Sequence, residues 1–289
     1  MTVWTLGSVN ADLVFHVPYL PGPGETLAAT ELTRGLGGKG ANMSVAVARA
    51  GSRVEHIGAV GEDGLWMKDR LAGYGVSVAH LATLDGPSGQ AVIELSTSDI
   101  RGDKGENRII ILPGTNARID IMGFDEILSG AEAGDWALFQ AETNGLLDFA
   151  QAAKARGLPL AHAAAPFNAE AVAPLLELLD LLVVNQVEAA QLQAATGLAP
   201  EALPVRDVVI TLGSKGARWI DPEGSRDFAA PQVTPVDTTG AGDTFTGYLV
   251  AGLEQGLDMA GAIELATRAA ALMVTRLGTA DVIPARDEL

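Results

Sequence analysis

Short runs of apolar, often β-branched residues alternate along the chain with Ala- and Leu-rich segments whose apolar positions recur at helical spacing. The runs predict strands at 3–9, 54–60, 136–140, 158–163, 181–185 and 208–212. The segments between them predict helices at 41–50, 65–72, 146–156, 170–179 and 188–196, and after Gly242 and Leu257. Because most strands are unbroken apolar runs, they are typical of a parallel sheet buried on both faces. We therefore expect one doubly wound α/β domain over residues 1–289, with a mostly parallel sheet and helices on both faces.

Two segments interrupt this alternation, at 13–36 and 89–112. Both contain Pro and Gly turns and short apolar stretches, which predict antiparallel strands in a small separate β-sheet. The charged, Gly-containing stretch 100–107 predicts the tip of a hairpin. Two unrelated surface hairpins are the alternative interpretation.

The composition excludes several classes of partner. The chain has 289 residues, with 19 Lys and Arg against 36 Asp and Glu, a formal charge of −17. This charge argues against nucleic acid and anionic membranes as partners. There is no cysteine, the first eleven residues lack the pattern of a signal peptide, and the apolar run 175–184 is too short to span a bilayer. We expect a cytoplasmic protein.

The turn from Val236 to Phe245 is the most informative stretch for chemistry. Its sequence, VDTTGAGDTF, places small residues immediately before an apolar helical pattern. The glycines allow the N–H groups of Gly240, Ala241 and Gly242 to point into one hollow, and a helix N-terminus adds partial positive charge there. A carboxylate beside such an anion-binding turn, here Asp243, suggests a general base that deprotonates a hydroxyl attacking phosphorus. The alternative is an ordinary helix start with Asp243 as its N-cap.

A second glycine-rich segment, Gly35 to Gly40, matches G-x-G-x-x-G, and Glu55 lies about 20 residues beyond Gly35. The preceding segment is interrupted by polar residues, which argues against a dinucleotide-binding turn. Gly rather than Ser or Thr follows Lys39, which argues against a P-loop. We expect instead that the glycines allow a polyol to approach, with Gly38, Lys39 and Asn42 as hydrogen-bond donors.

Three polar residues follow predicted strands at the ends where ligands bind in open α/β sheets. Asn10 and Asp12 lie just past the first strand, and Glu142 lies two residues past the strand at 136–140. Their carboxylate and amide groups can accept hydrogen bonds from, and donate them to, adjacent hydroxyls of a ligand. A turn with an Asx cap, and for Glu142 a surface acid, are the alternatives.

These motifs together resemble the PfkB family of ribokinase-like sugar kinases. The similar segments are, in family order, GSVNAD at 7–12, PGET at 23–26, GGKGAN at 37–42, NQVE at 185–188, TLGSKG at 211–216 and DTTGAGDTF at 237–245. They span nearly the whole chain. NAD together with GGKGAN points to the ribokinase branch and its ribokinase-like fold.

The resemblance implies an ATP-dependent sugar kinase that uses Mg²⁺ and also K⁺. It implies sugar ligands at Asn10, Asp12 and Glu142, and a lid formed by the small sheet, which relatives often use to dimerise. Asn185 and Glu188 would organise the magnesium and phosphate region, Glu188 through water. The nucleotide would contact Asn185, Thr211, Gly213, Ser214, Gly216, Gly242 and Thr267. The K⁺ ligands would be Asp237, Thr239 and Gly278. A helix cap is the alternative role for Glu188.

The chain departs from the family pattern at four places. Ala163 stands where relatives have an Asn near the phosphates, and Gln186 replaces a frequent Glu. About one helix is missing between Gly197 and Val208, and Val282 falls near a hydroxyl ligand of K⁺. Ribose is the first expectation for the substrate. Other pentoses, ketohexoses, a keto-deoxy sugar acid or a nucleoside remain alternatives, as does a catalytically weak sugar- or nucleotide-binding regulator.

Overall fold

The computed structural model describes residues 1–102 and 105–289. The strands in this part of the chain are β1 Thr2–Leu6, β2 Asn10–Val17, β3 Glu31–Gly37, β4 Arg53–Gly61, β5 Leu81–Leu84, β6 Gly89–Ser96, β7 Asn107–Leu112, β8 Trp136–Gln140, β9 Leu160–Ala163, β10 Leu181–Asn185, β11 Asp207–Thr211, β12 Ala217–Asp221 and β13 Gly224–Phe228. The α-helices are α1 Lys39–Arg49, α2 Leu65–Gly73, α3 Phe124–Ile127, α4 Leu146–Ala155, α5 Ala169–Val172, α6 Gln186–Thr196, α7 Ala241–Glu254 and α8 Met259–Met273.

The large sheet has the strand order β13-β12-β11-β10-β9-β8-β1-β4-β5. Pairing is parallel from β5 through β11 and antiparallel for β12 and β13. Successive residues of a strand point to opposite faces, and both faces are buried. Leu138 joins a core with α1, α7 and α8, whereas Phe139 joins a second core with Phe149 of α4. The predicted doubly wound, mostly parallel α/β sheet is confirmed.

A second sheet of four strands has the order β3-β2-β6-β7. The β2–β3 and β6–β7 pairs are antiparallel, as predicted. The β2–β6 pair is parallel, however, with Asn10 opposite Gly89. The wholly antiparallel prediction was wrong because the chain passes through β4 and β5 of the large sheet before it returns to β6 in the same direction. Residues 103 and 104 of the predicted hairpin tip lie outside the described residues.

Two of the element boundaries that differ from the sequence prediction have a clear physical reason. The first strand ends at Leu6 rather than Val9, because the next residues leave the sheet and the Val9 N–H donates to the Asn116 side chain. Asn10 and Asp12 therefore begin β2 of the second sheet rather than forming a turn after β1. The helix predicted at 170–179 is limited to Ala169–Val172 followed by a 3₁₀ turn, where Pro174 lacks the amide proton that a continuing helix needs.

The segment between Gly197 and Val208 contains a single 3₁₀ turn, Pro200–Ala202, among the described residues. No α-helix lies in this part of the described chain. Throughout the described part of the chain, no helix combines the length and apolar character needed to cross a bilayer.

Candidate active site

Helix α7 begins inside the small-residue turn that the sequence singled out. Gly240 is its N-cap with φ 78°, a left-handed conformation that favours glycine. Asp243 lies in the first turn of the helix and is 6% exposed. The alternative in which Asp243 caps the helix is therefore wrong. Gly242 is exposed, and the Ala241 N–H donates to the Thr238 carbonyl at 3.2 Å.

Asp243 lies against the start of α1, about 200 residues earlier in the chain. Asn42 Nδ2 donates to Asp243 Oδ2 at 2.8 Å. Burial raises the pKa of Asp243, while the positive charge of Lys39 and the Asn42 bond act to lower it. The helices approach closely because Gly247 has no side chain: a Cβ there would lie 2.5 Å from Ala46 Cβ. The two glycine-rich motifs of the sequence thus meet at one carboxylate.

The glycines before and within α1 serve close contact with the chain that follows β1. Gly38, at φ 94°, is the N-cap, and a Cβ there would lie 2.7 Å from the Ser8 carbonyl oxygen. A Cβ on Gly40 would lie 2.3 Å from Gly7 Cα. The strand before this turn, β3, belongs to the second sheet and is mostly exposed. This arrangement differs from the buried strand and helix of a dinucleotide-binding turn.

Two further carboxylates lie near Asp243. Asp12 packs against Gly37, where a Cβ would lie 2.1 Å from Asp12 Oδ2. Burial, followed by the negative charges of Glu142 and Asp243, raises the pKa of Asp12 to about 7. Glu142 Oε2 accepts hydrogen bonds from Ser8 Oγ at 2.5 Å and from the Lys39 N–H at 3.2 Å.

The side chain of Lys39 supplies the positive charge of this cluster. Asp243 is the main cause that raises the pKa of Lys39, and Glu142 and Glu188 add to it against the opposing effect of burial. Lys39 therefore stays protonated while it lowers the cost of an ionised Asp243.

A cavity of about 410 Å³, here called the Asn10 cavity, opens beside this cluster. Its walls include Asn10, Glu142, Asn116, Asn144, Ile111 and Pro166. It joins polar groups of the second sheet to the carboxyl end of β8. Asn116 and Ser8 were missed by the sequence analysis, because nothing in the local pattern distinguishes them from other polar loop residues.

A second cavity of about 340 Å³, here called the α7 cavity, lies on the other side of the α7 N-terminus. The predicted nucleotide residues Thr211, Gly213, Ser214, Gly216, Gly242 and Thr267 all line it. Its remaining walls include Pro231, Val233, Ala270 and Val274, which the sequence analysis did not identify. The cavity is therefore bounded mainly by turns and small apolar side chains.

Asn185 and Glu188 form a reciprocal capping box at the start of α6. The Asn185 N–H donates to Glu188 Oε2 at 2.8 Å, and Asn185 Oδ1 accepts the Glu188 N–H at 2.9 Å. The capping alternative therefore holds for the local structure. Burial raises the pKa of Glu188. Neither side chain lines the α7 cavity, although the charge of Glu188 reaches Lys39 and Asp243.

Comparison with known proteins decides the family. A model of the pfkB family of carbohydrate kinases matches residues 2–286. The chain belongs to this family. The resemblance inferred from the motifs is thereby confirmed, and so is the prediction of a carbohydrate kinase.

Several relatives of this pfkB kinase are ribokinases. The ribokinase of Haemophilus influenzae is 35% identical over 305 residues, which cover 99% of this chain and 96% of the relative. Among solved structures, the ribokinase of Thermotoga maritima has a TM-score of 0.87 at 30% identity, covering 100% of this chain and 97% of its own. The Arabidopsis thaliana ribokinase, solved in complex with ribose and ATP, has a TM-score of 0.83 at 27% identity, covering 99% and 96%. These similarities agree with the fold described above.

The predicted cation ligands of this pfkB kinase lie together beside the α7 turn. Asp237 Oδ1 accepts the Thr239 N–H at 2.9 Å, and Oδ2 accepts the Gly278 N–H at 3.2 Å. Val282 packs toward Gly278, where a Cβ would lie 3.5 Å from Val282 Cγ1. The carboxylate thus connects Thr239 to Gly278, and the apolar side chain of Val282 lies beside Gly278.

Proposed function

We propose that this kinase transfers the γ-phosphoryl group of ATP to the primary hydroxyl of ribose. One observation carries the proposal. The buried carboxylate of Asp243 stands at the α7 N-terminus, between the α7 cavity and the polar cluster beside the Asn10 cavity. The ribokinase names of several relatives support ribose, and the Arabidopsis complex supports the pairing of ribose with ATP.

Asp243 is the general base in this proposal. Its ionised carboxylate takes the proton as the sugar O–H bond breaks, and the oxygen forms a new bond to the γ-phosphorus. The bond between that phosphorus and the β–γ bridging oxygen breaks, and ADP leaves. The N–H groups of Gly240, Ala241 and Gly242 stabilise the phosphoryl charge, with Ala241 exchanging its 3.2 Å bond to Thr238 for the phosphate.

The sugar is held on the side of the second sheet. Its ligands are Asn10, Asp12, Gly38, Lys39, Asn42 and Glu142. These groups combine amide donors, carboxylate acceptors and one positive charge, which suits a small polyol with adjacent hydroxyls. Because the pKa of Asp12 is about 7 in the sugar-free protein, the charge of this site changes near neutral pH.

The nucleotide occupies the α7 cavity, against Thr211, Gly213, Ser214, Gly216 and Thr267. Its phosphates reach Asn185 and Gly242 at the helix N-termini. The small apolar walls suit a flat base, and the turns supply backbone donors.

Mg²⁺ fits the donor chemistry near Glu188. Within the described residues no group of three His, Cys, Asp or Glu could hold a metal ion. A single carboxylate, acting through water, suits Mg²⁺, which keeps several waters and binds substrate phosphates. When bound, Mg²⁺ supplies positive charge that offsets the charge of the phosphates.

K⁺ is proposed as a weak activator held at Asp237 with main-chain oxygens near Thr239 and Gly278. The carboxylate offers remaining lone pairs, since each of its oxygens accepts only one hydrogen bond in the described structure. The side chain of Val282 contributes no oxygen.

The four-stranded sheet is proposed as a lid over the sugar and as the surface of a homodimer. Strand β7 is an edge strand, and Ile109, Ile110, Ile111 and Leu112 are all more than 45% exposed. An apolar edge of this kind is stabilised when a second copy covers it. The proposed location of the protein is the cytoplasm, where ATP is available. Its formal charge of −17 supports the proposal that neither nucleic acid nor a membrane is a partner.

ADP release over a panel of substrates tests the proposal. Ribose should give the highest kcat/KM against other pentoses, ketohexoses, a keto-deoxy sugar acid and nucleosides, and Asp243→Asn should lower ADP release by about 10²-fold or more. A higher kcat/KM for another member would reassign the substrate. Binding of sugar and ATP without turnover of any member would favour the regulator instead.

A further inference from the structure

The side-chain amide of Asn10 is hydrogen-bonded through its oxygen, whereas its nitrogen has no hydrogen-bond partner among the described residues. Asn116 Nδ2 donates to Asn10 Oδ1 at 2.7 Å, and both residues are buried, at 1% and 4% exposure. Among the described residues, no hydrogen bond engages Asn10 Nδ2, and Asn10 lines the Asn10 cavity. The nitrogen end of the amide is therefore the end available to a ligand.

A main-chain group fixes the direction of this hydrogen bond. The Val9 N–H donates to Asn116 Oδ1 at 3.0 Å, and the Val9 carbonyl oxygen lies 3.3 Å from Asn116 Nδ2. A backbone N–H only donates and a backbone carbonyl only accepts, so Asn116 has one favourable orientation. Its NH₂ group must therefore face Asn10, and the side-chain oxygen of Asn10 accepts the hydrogen bond.

The surrounding backbone leaves the pair little freedom. Gly89 lies opposite Asn10 in the β2–β6 pairing, and a Cβ there would lie 2.1 Å from Asn116 Nδ2 and 2.2 Å from Asn10 Oδ1. The main chain of Asn116 is held as well, because its carbonyl accepts the Asn144 N–H at 3.3 Å. Gly89 therefore makes room for the pair, and the loop keeps Asn116 in place.

We propose that Asn116 is a positioning residue that makes Asn10 a hydrogen-bond donor toward the sugar. The proposal rests on the proposed function, which puts the sugar beside Asn10. The sugar hydroxyl that meets Asn10 then has to accept a hydrogen bond. Asn116 determines the specificity at this hydroxyl without contact to the reacting atoms, since it selects which end of Asn10 the substrate meets.

Ribose analogues with hydrogen or fluorine at C2 or C3 test the direction, because fluorine can accept weakly and does not donate. The quantity measured is the ratio of kcat/KM for the fluoro analogue to kcat/KM for the deoxy analogue. In the unmodified enzyme this ratio should reach about 10 at the carbon whose hydroxyl meets Asn10. In Asn116→Asp the carboxylate accepts from both neighbours, Asn10 turns its carbonyl to the cavity, and the ratio should fall to about 1 or below.

Asn116→Ala is the second variant, because it brings no charge into the interior. It frees Asn10 to turn either way, so the ratio should again fall, by several-fold. Asn144→Asp is the matched control in the same wall, and it should leave the ratio unchanged even if turnover drops. A uniform loss of activity in the Asn116 variants, with the ratio unaltered, would mean that Asn116 is merely structural and would overturn the proposal.

A substrate-free measurement separates this proposal from the proposed function. In NMR spectra without sugar, the Asn10 side-chain NH₂ signals are identified by their loss in Asn10→Asp. Their exchange with water should slow by about tenfold in Asn116→Asp, because the amide then donates to a buried carboxylate. If ribose is not turned over but this slowing occurs, only the substrate assignment fails. An unchanged exchange rate in folded Asn116→Asp overturns the positioning role.

Discussion

The two sides of Asp243 are built in different ways. On the Asn10-cavity side, buried and half-buried polar side chains from distant parts of the chain form a connected network. Asn42 of α1 bonds Asp243, Glu142 accepts the Lys39 N–H, and Asp12 lies within electrostatic reach of both carboxylates. On the α7-cavity side, the walls are turns and small apolar side chains, and the stretch from Pro231 to Val236 is exposed. Fixed donors and acceptors discriminate between similar polyols. Under the proposed function, the backbone turns and apolar walls of the α7 cavity have to accept only ATP.

The largest expected effect comes from the residue between the two sides. Asp243→Asn keeps the shape of the carboxyl group but removes its ability to take a proton. We expect kcat to fall by about 10²-fold or more, with nucleotide affinity largely retained because the α7 cavity is intact. Steady-state ADP release and calorimetric titration of nucleotide measure the two quantities.

Asp258→Asn is the matched control for this substitution. Asp258 caps α8 through the Gly261 N–H, and an Asn side chain can make the same bond. Turnover of this control should stay normal. Near-normal turnover of a clean Asp243→Asn preparation would remove Asp243 from the role of base.

The second effect separates the two sides directly. Asp12→Ala removes a half-buried carboxylate from the sugar side, and we expect sugar affinity to fall by about 10- to 100-fold while ATP affinity changes little. Val274→Ala is the matched change in the α7 cavity and should weaken ATP alone. Calorimetric titrations of both ligands measure the difference. A larger loss for ATP than for sugar in Asp12→Ala would show that the sides are wrongly assigned.

The third effect is a shift in pH dependence. Asp243 works as a base only when ionised, so kcat falls as pH falls through the pKa of Asp243, which burial raises. Lys39 lowers this pKa, so Lys39→Met should move the acid limb of kcat toward higher pH, by about one unit or more. The acid limb is measured in the pH profile of kcat rather than of kcat/KM. Asp12, whose pKa burial raises to about 7, titrates in the free enzyme and therefore affects kcat/KM.

Lys68→Met is the control for this shift. Lys68 lies on α2 and donates to the Leu81 carbonyl, and its charge is not among the causes that shift the pKa of Asp243. Its variant should leave the acid limb in place. An acid limb that moves to lower pH in Lys39→Met, or does not move, would contradict the electrostatic coupling of Lys39 to Asp243.

The same contrast between the two sides explains which parts of the fold and of the site could be predicted from the sequence. Strands such as β8 and β10 were predicted at their observed bounds because each is an unbroken, buried apolar run. Residues that line the α7 cavity were named in the sequence analysis through the family resemblance that its glycine motifs carry. The parallel β2–β6 pairing was missed because pairing partners are chosen by tertiary packing and not by the local pattern.

The network around the Asn10 cavity was the least predictable part of the site. Ser8 bonds Glu142 across 134 positions, and Asn116 bonds Asn10 across 106. No local periodicity marks such contacts. The glycines that make room for them, such as Gly37 and Gly89, have the same ambiguity, because in a single sequence a glycine signals a turn as readily as a close approach.

The smallest expected effect concerns a monovalent cation on the nucleotide side. Asp237 joins Thr239 and Gly278 beside the α7 turn, so an ion bound there would adjust the turn without contact to the sugar. A hard cation needs several oxygen ligands, and the side chain of Val282, beside Gly278, supplies none. We therefore expect weak K⁺ activation that half-saturates at high concentration, and a stronger activation at lower K⁺ concentration in Val282→Ser.

Assays in tetramethylammonium buffer titrated with potassium chloride measure this activation. The KM for the sugar is the internal control, because sugar binding beside the Asn10 cavity should not depend on K⁺. A complete lack of response in both proteins would mean that no ion binds at Asp237, and a large, tight response in the unmodified protein would mean that another group supplies the missing oxygen.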